Sequence, residues 1–384
     1  MKSIINGLLY VKQKFVKDYV IIFDEKIRDL ISREEYDAYK KDHSDIEEVD
    51  AKGDYVVPGF IDVHIHGYKN VDVMDGLVSS IVKISKDITE NGVCAYLPTT
   101  MTMPKDSIVK ALETIRQVKD GTQDGLGALV LGAHLEGPFI NKDFKGAQPK
   151  EFIEEPDEAL VEQFKDVIKV ITIAPEIPGA MDFIEKYSAD FNFSIGHSGA
   201  SYDIAKEAIN KGLKSTTHLF NAMTGLHHRE PGVVGAAFTC DCFSEVIADK
   251  FHVHPDLFKL IVKAKGLEKI LLITDCMRAG GLGEGTYDLG GQMVTVKNGQ
   301  CRLAQGTIAG SVLKLNEGLR NFNDSVEENL EQLIPLVTSN QASYLGMEDQ
   351  LGTLEVNKIA NIVIMNKEIS INKTIVKGKV AYEN

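Results

Sequence analysis

The sequence predicts an α/β protein built on a (β/α)8 TIM-like barrel, with a small β-sandwich domain formed by both chain ends. Two observations favour this fold class. Apolar, strand-like runs recur with helix-like segments between most of them, at residues 59–66, 94–99, 128–136, 168–174, 191–197, 214–219, 244–249 and 269–275. Strand and helix alternating about eight times is typical of a parallel barrel. Both chain ends instead alternate β-branched with polar residues, and neither has an evident core of its own.

The predicted domain boundaries follow these patterns. We expect residues 1–55 and 350–384 to pair into the small β-sandwich domain, and residues 56–349 to form the barrel. The strongly charged segment 33–50 is predicted to be a solvated loop. The barrel pattern breaks at 276–309, where YDLGGQMVTVKNGQCRLAQGT predicts a β-hairpin insertion with Asn298 and Gly299 in its turn.

Bulk composition argues against several classes of protein. The 384 residues are 43% hydrophobic and 26% charged, which permits a large core, and the net charge of −14 opposes a nucleic-acid partner. No run approaches the ~20 apolar residues of a membrane helix, and the charged N-terminal segment is unlike a signal peptide. Five cysteines without a paired framework predict reduced thiols and a cytoplasmic location. Cys240 and Cys242 lack a second pair and are weak metal candidates.

Ionisable residues recur at the predicted C-terminal ends of the barrel strands. His64 and His66 in PGFIDVHIHG are two residues apart and therefore point to one face. Further strands end with Glu136, His197, His218 and Asp275. These ends converge on one mouth of a barrel, and imidazole and carboxylate are metal ligands by type. Burying so many ionisable groups unpartnered would cost several kcal/mol apiece, which a bound metal would offset.

Two further histidines are given a structural interpretation. His134 shares a face with Glu136, and we expect it to be a hydrogen-bonded core histidine or a support for a ligand. His43 lies in the charged segment and is predicted to be a surface residue.

A series of motifs then narrows the function. PGFIDVHIHG, HLEGPFIN with KGAQP, IGHSGA, THLFNAMTGLHHREPG, ADKFHVHP, LLITDCMRAGG and GTIAGS occur in this order. Together they resemble the N-acetylglucosamine-6-phosphate deacetylases of the amidohydrolase superfamily, over nearly the whole chain. The resemblance implies metal-dependent hydrolysis of the acetamide of N-acetyl-D-glucosamine 6-phosphate to D-glucosamine 6-phosphate and acetate, in amino-sugar catabolism and recycling.

The resemblance also implies the roles of individual residues. One or two divalent ions per subunit, with zinc or iron the first expectation, would be held by Glu136, His197 and His218, and by His64, His66 and Asp275. Asp275 is the implied catalytic acid and base. The implied substrate-binding residues are Ala147, Gln148, Asn221, Ala222, Arg229, His252, Thr307, Ile308 and Ala309. Arg229 would reach the neighbouring active site of a homodimer.

Three residues depart from the pattern of the family. Gln148 stands where some members carry a histidine, and glutamine can donate a hydrogen bond but cannot become a cation. Lys250 occupies a position that is often glycine, and we expect its side chain to point to solvent. Asn361 replaces a common aspartate, and its predicted role is structural.

Two alternatives stay open at this level. A cyclic-amide hydrolase of the dihydroorotase or hydantoinase type would bridge its metals with a carboxylated lysine at a strand end, where the run ending ITIAPE has no lysine. A non-catalytic scaffold with the same fold would be expected to lack ligands, and none of the matched ones is missing. The sequence leaves the metal and the gluco or galacto epimer undecided.

Overall fold

The computed structural model describes residues 1–121 and 127–384, and it confirms the predicted barrel. Its strands are Phe60–Ile65, Val93–Thr100, Ala133–Glu136, Ile168–Ile173, Asn192–Ile195, Ser215–Thr216, Phe243–Ile247 and Ile270–Ile273. Each strand pairs in parallel with the next in the chain. A parallel bridge between Ile65 and Cys276 brings the chain after the last strand against the first, so the barrel nearly closes. The run predicted at 128–136 is two strands, since Leu129–Val130 pairs separately with Val93–Thr100.

The helices pack one apolar stripe against the barrel. Ala180–Tyr187 shows the pattern, because its buried residues Ala180, Phe183, Ile184 and Tyr187 recur at helical spacing. The α-helices are Arg33–Asp42, Val78–Asp87, Lys105–Asp120, Glu158–Gln163, Ala180–Tyr187, Tyr202–Asn210, Gly232–Thr239, Asp256–Lys265, Leu315–Asn323, Leu330–Leu333 and Ser339–Tyr344. Short 3₁₀ helices lie at Val73–Asp75, Ile88–Asn91, Lys150–Phe152, Leu267–Lys269 and Ile334–Val337. In the part of the chain that is described, no helix is both long and apolar enough to cross a membrane.

The barrel strands are buried on both faces. All eight residues of Val93–Thr100 are buried, and so are all six of Phe60–Ile65. Parallel strands covered by helices outside and by packed side chains inside read as continuous apolar runs. A polar side chain in such a strand therefore needs a partner, and this makes the histidines and carboxylates of these strands informative.

Strands from both chain ends form two further sheets. One sheet contains Lys2–Ile5, Tyr19–Phe23, Ile27–Ser32 and Glu47–Asp50, and the other contains Leu8–Val11, Lys14–Val16, Tyr55–Pro58, Ile362–Met365, Ile371–Val376 and Lys379–Glu383. Buried side chains from both sheets share one apolar cluster, with Ile4 and Phe23 from the first and Val56 and Ile362 from the second. The domain boundaries at 55/56 and 349/350 stay a prediction.

The prediction of a solvated loop at 33–50 is wrong. The segment contains the helix Arg33–Asp42 and the strand Glu47–Asp50. Ser32 and Glu35 form a capping box that satisfies the first backbone N–H groups of the helix. Tyr36 is fully buried, and its hydroxyl bonds Ser3 Oγ at 2.7 Å. One buried aromatic side chain and a good cap thus hold a helix whose other residues are mostly charged.

The insertion after the last barrel strand is larger than the predicted hairpin. It has three antiparallel strands, Gly285–Leu289, Gln292–Lys297 and Gln300–Leu303. The predicted turn is confirmed, because Asn298 and Gly299 connect the second and third strands with φ of 50° and 75°. A further two-stranded ribbon, Gly67–Tyr68 with Val71–Asp72, follows the first barrel strand.

Candidate metal centre and substrate cavity

A cavity of about 410 Å³ lies at the C-terminal ends of the barrel strands. Its walls come from the segments that follow these strands and from the three-stranded insertion. The lining residues are His66, Met101, Glu136, Asp143, Phe144, Gly146, Ala147, Gln148, His197, His218, Asn221, Ala222, His252, Asp275, Leu289, Thr307, Ile308 and Gly310.

Six side chains meet at the cavity floor and form what we call the histidine–carboxylate cluster: His64, His66, Glu136, His197, His218 and Asp275. His64 belongs to the regular strand Phe60–Ile65, and His66 follows it directly. His197, His218 and Asp275 follow other strands and have positive φ of 51°, 31° and 48°. Non-glycine residues in this backbone region cost of order 1–3 kcal/mol and concentrate at functional sites.

Glu136 joins the two histidine pairs of the cluster. Its Oε1 lies 3.2 Å from Nε2 of His197 and 3.2 Å from Nε2 of His218. Its Oε2 lies 3.3 Å from Nε2 of His66. Nε2 of His64 lies 3.6 Å from Oε1. Glu136 therefore lies between the two pairs and contacts both of them.

Asp275 completes the half that contains His64 and His66. Its Oδ1 lies 3.3 Å from Nε2 of His66 and 3.7 Å from Nε2 of His64. The donor atoms of these three residues lie within 4.8 Å of one another, as do those of Glu136, His197 and His218. Two groups of potential metal ligands thus adjoin in one buried cluster.

The distances between ring nitrogens fit metal ligation. Nε2 of His197 and Nε2 of His218 are 3.3 Å apart, and Nε2 of His64 and Nε2 of His66 are 3.4 Å apart. Two imidazole nitrogens facing each other need a shared proton or a cation between them. Tetrahedral ligands at about 2.0–2.1 Å from zinc lie about 3.4 Å apart. The donor set of imidazole and carboxylate therefore fits a divalent cation in each half.

The charges of the cluster are strongly coupled. Burial raises the pKa of Glu136, but the surrounding histidines outweigh it and hold this pKa well below its usual range. Burial also raises the pKa of Asp275, but the hydrogen bond from His66 and the charges of His64 and His66 together outweigh it, so the net shift is downward. Both carboxylates therefore stay ionised and need positive charge beside them, which protons on histidine or bound cations can supply.

Two buried acids that support the cluster were missed in the sequence. Oε2 of Glu245 lies 3.0 Å from Nδ1 of His64 and accepts the backbone N–H of His218 at 3.2 Å. Asp62 accepts the hydroxyl of Thr274 at 2.6 Å, and burial raises its pKa to about 7. Each is the single acidic residue of a largely buried strand, FSEVI or FIDVHI, and that position was the available signal.

His134 is the core histidine that the sequence predicts. Its Nδ1 lies 3.0 Å from the carbonyl oxygen of Val63, and its Nε2 lies 2.8 Å from Oγ1 of Thr172. Burial lowers its pKa to about 4, so the ring is neutral at pH 7. With both nitrogens engaged, it serves packing beside His64 rather than ligation.

Most of the predicted substrate-binding residues line the cavity: Ala147, Gln148, Asn221, Ala222, His252, Thr307 and Ile308. Gln148 donates from Nε2 to Oε2 of Glu136 at 2.7 Å and accepts the N–H of Thr102 at 2.8 Å. It therefore orients the carboxylate that joins the two histidine pairs. Asp249 holds Nδ1 of His252 at 2.7 Å, which leaves the other ring nitrogen for a substrate group.

Two predicted substrate contacts lie outside this cavity. Ala309 is buried in the core of the insertion, next to lining residues Ile308 and Gly310. Arg229 is exposed and lines a separate depression with His227. A single chain therefore does not bring Arg229 to the cluster.

The other departures from the family pattern have structural explanations. Lys250 is exposed, as expected, and its φ of 69° accounts for a position where glycine is common. Oδ1 of Asn361 accepts the backbone N–H of Lys377 at 3.0 Å, within the sheets of the chain ends.

A parallel barrel with paired histidines and carboxylates at its C-terminal mouth defines an enzyme with a potential metal centre. Comparison with known sequences gives the family. Residues 55–381 match the amidohydrolase family, and the chain belongs to that family.

Individual relatives are more specific. The chain is 38% identical over 372 residues to the N-acetylglucosamine-6-phosphate deacetylase of Bacillus subtilis (strain 168), covering 95% of this chain and 92% of that protein. It is 36% identical to the N-acetylgalactosamine-6-phosphate deacetylase of Escherichia coli O157:H7, covering 84% and 87%. The crystal structure of N-acetylglucosamine-6-phosphate deacetylase from Pasteurella multocida matches with a TM-score of 0.93 at 27% identity, over 100% of both chains.

Proposed function

We propose that this enzyme hydrolyses the acetamide of N-acetyl-D-glucosamine 6-phosphate to D-glucosamine 6-phosphate and acetate, in amino-sugar catabolism and recycling. The observation that carries the hydrolysis is Glu136, which lies between the two histidine pairs, contacts both of them, and sits beside Asp275 at the floor of a cavity. The similarity to deacetylases of amino-sugar phosphates over nearly the whole chain supports the substrate class.

Two divalent cations, zinc or iron, fit the histidine–carboxylate cluster. Glu136, His197 and His218 would hold one, and His64, His66 and Asp275 the other, with Glu136 shared. Bound cations supply Lewis acidity, which polarises an amide oxygen and makes water acidic enough to attack at neutral pH.

Asp275 acts as the acid and base of the reaction. Its carboxylate takes a proton from the attacking water, whose oxygen then bonds to the acyl carbon. The C–N bond breaks only if the nitrogen is protonated, because an amide anion is a poor leaving group. Asp275 delivers the proton to this nitrogen, and the C–N bond breaks to give acetic acid and the amine. The acid then passes its remaining proton to the amine, which leaves acetate and the ammonium form of the sugar.

The rest of the cavity binds the sugar phosphate. Asn221 and Ala222, on the segment after the sixth barrel strand, would hold the phosphate, and His252, fixed by Asp249, would contact the substrate beside Asp275. Arg229 would complete the phosphate site from the partner subunit of a homodimer, which explains why it lies outside the cavity of its own chain. The five free cysteines suit the expected cytoplasmic location.

The galacto epimer is the second candidate substrate, because one relative at 36% identity is an N-acetylgalactosamine-6-phosphate deacetylase. A cyclic-amide hydrolase is less favoured. The fourth barrel strand, Ile168–Ile173, carries no lysine at its C-terminal end, and Glu136 would serve both cations instead.

Acetate release from N-acetylglucosamine 6-phosphate, its galacto epimer and unphosphorylated N-acetylglucosamine tests the proposal, with metal quantified in the same sample. We expect strong preference for a phosphorylated sugar, and Arg229→Ala should raise KM for it while kcat changes little. Equal rates on phosphorylated and free sugar would refute the phosphate site. No acetate from any sugar, despite bound metal, would refute the deacetylase.

A further inference from the structure

The cavity has one apolar wall close to the histidine–carboxylate cluster, formed by Met101, Ala147 and Leu289. Met101 and Leu289 are each only 3% exposed, and both belong to the packed core of the three-stranded insertion, on which Ala147 also packs. Met101 and Leu289 have no role in the proposed hydrolysis or phosphate binding, and Ala147 is already expected to contact the substrate.

The apolar wall is held rigidly in place. The turn after Leu289 packs on Met101, and a Cβ at Gly290, whose φ is 58°, would lie 2.7 Å from Sδ of Met101, so a larger residue there would displace the methionine side chain. The side-chain amide of Gln292 donates to the carbonyl oxygen of Ala147, which ties the loop after the third barrel strand to the insertion. The wall therefore has little freedom to move away from a larger ligand.

The apolar wall also adjoins the reacting centre. Thr99, two residues before Met101, offers its carbonyl oxygen to Nδ1 of His66 at 3.2 Å. The residue after Ala147 is Gln148, which bonds Glu136 directly. If the acyl carbon of a substrate lies at the cluster, a substituent that extends from it on this side would contact the wall directly.

The order of the barrel strands places the wall opposite the proposed phosphate site. Met101 follows the second strand, and Asn221 and Ala222 follow the sixth, which lies four positions around the eight-stranded ring. In a hexosamine 6-phosphate, the amide on C2 and the carbon that bears C6 lie across the pyranose ring. A sugar with its phosphate at Asn221 therefore directs its amide toward Met101.

We propose that Met101, Ala147 and Leu289 form the acyl pocket and set the length of acyl chain that the enzyme removes. This inference rests on the proposed deacetylase. The carbonyl group faces the polar cluster, and the methyl of the acetyl group packs against the wall. An added methylene would collide with these nearly buried side chains. Propionyl and longer amides are therefore excluded because they do not fit the pocket, although their amide bond is equally reactive.

The test compares hydrolysis of the N-acetyl and N-propionyl derivatives of glucosamine 6-phosphate by the metal-loaded enzyme. One extra methylene in a fitted pocket changes kcat/KM by roughly 10–200-fold. We expect wild type to prefer the acetyl compound within that range. Leu289→Ala and, separately, Met101→Ala should each raise the propionyl-to-acetyl ratio of kcat/KM by about 10-fold or more.

Leu303→Ala is the matched control. Leu303 is 5% exposed and belongs to the same insertion core, but it is not among the residues that line the cavity. It should lower stability as Leu289→Ala does and leave the ratio at the wild-type value. Met101 packs on the insertion core but lies in the chain segment after the second barrel strand, so Met101→Ala keeps the test available if the strands of the insertion cannot tolerate Leu289→Ala.

An unchanged ratio in both wall variants, with acetate release retained, would overturn the acyl pocket alone. An equal rise in Leu303→Ala would also overturn it, since loosened packing would then explain the effect. Absence of acetate release by wild type is a different result, because it would overturn the proposed deacetylase together with this inference.

Discussion

The two histidine pairs of the cluster are held in different ways. His64 and His66 lie at the end of a regular strand, and their Nδ1 atoms contact Glu245 and the carbonyl oxygen of Thr99. His197 and His218 follow strand ends with left-handed backbone. Nδ1 of His197 contacts the carbonyl oxygen of Phe144, and among the described residues Nδ1 of His218 has no hydrogen-bond partner.

This difference shows two ways of orienting a ligand. In the first pair, hydrogen bonds from neighbouring strands fix the imidazole rings, and a carboxylate makes His64 more basic. In the second pair, the backbone itself turns His197 and His218 toward Glu136. We therefore expect the first pair to depend on its supporting residues, and the second to depend on the conformation of its strand ends.

The largest effect should follow substitution of Asp275, which lies beside the first pair and is the proposed acid and base. Asp275→Asn removes the acid and base, and kcat should fall on the order of 10²–10⁴-fold. The ion at His197 and His218 should remain, because Glu136 is intact. Steady-state kinetics and metal analysis of one preparation measure both. A kcat near the wild-type value in Asp275→Asn would show that Asp275 is not the acid and base of the reaction.

Loss of the first pair should halve the metal content. In His64→Gln/His66→Gln, the second pair and Glu136 still offer three ligands, so metal bound per chain should fall from two to one. Elemental analysis after dialysis measures this number. Glu136→Gln is the comparison variant, because it removes a carboxylate from both halves of the cluster and should weaken the binding of both ions. Unchanged metal content in the double variant would show that the first pair binds no ion.

Removal of the carboxylate behind His64 should have a smaller effect. Glu245→Gln leaves the ligands in place but weakens the support of Nδ1, and loss of such a partner typically costs 10–100-fold in metal affinity. Competition with a chelator should show one weakened ion of two. Glu176→Gln is a suitable control, because Glu176 bonds Asn141, Ser198 and Gly199 at the barrel mouth and has no histidine partner in the described part of the chain. Equal weakening in both variants would contradict the positioning role.

The smallest effect should come from the chain ends, away from the cluster. Ser32→Ala removes the capping box of Arg33–Asp42, and the free energy of unfolding should fall by about 1 kcal/mol. Denaturant unfolding measures this change, while kcat should stay at the wild-type value. Altered metal content in this variant would mean that the chain-end sheets and the cluster are energetically coupled.

The sequence predicted the first pair better than the second for a physical reason. Strand periodicity places His64 and His66 on one face without further information. His197 and His218 point inward because of backbone angles that no residue type reveals, and only their positions after apolar runs indicated them. The resemblance of motifs supplied their grouping with Glu136.

Other features were outside the reach of sequence patterns. Glu245 contacts a histidine that is 181 positions away in the chain, so no local spacing could connect them. The apolar wall combines Met101 with Leu289, and ordinary apolar residues carry no signal of function. The helix after Ser32 was missed because charge dominates its composition, although its capping box was readable.

The most direct test asks whether the two histidine pairs form one shared centre. Metal is returned stepwise to the metal-free enzyme, and activity is measured at each number of equivalents. Acetate release from N-acetylglucosamine 6-phosphate should reach its maximum only at two equivalents per chain. In His64→Gln/His66→Gln, it should saturate at one equivalent with lower activity. Full wild-type activity at one equivalent would contradict the shared centre.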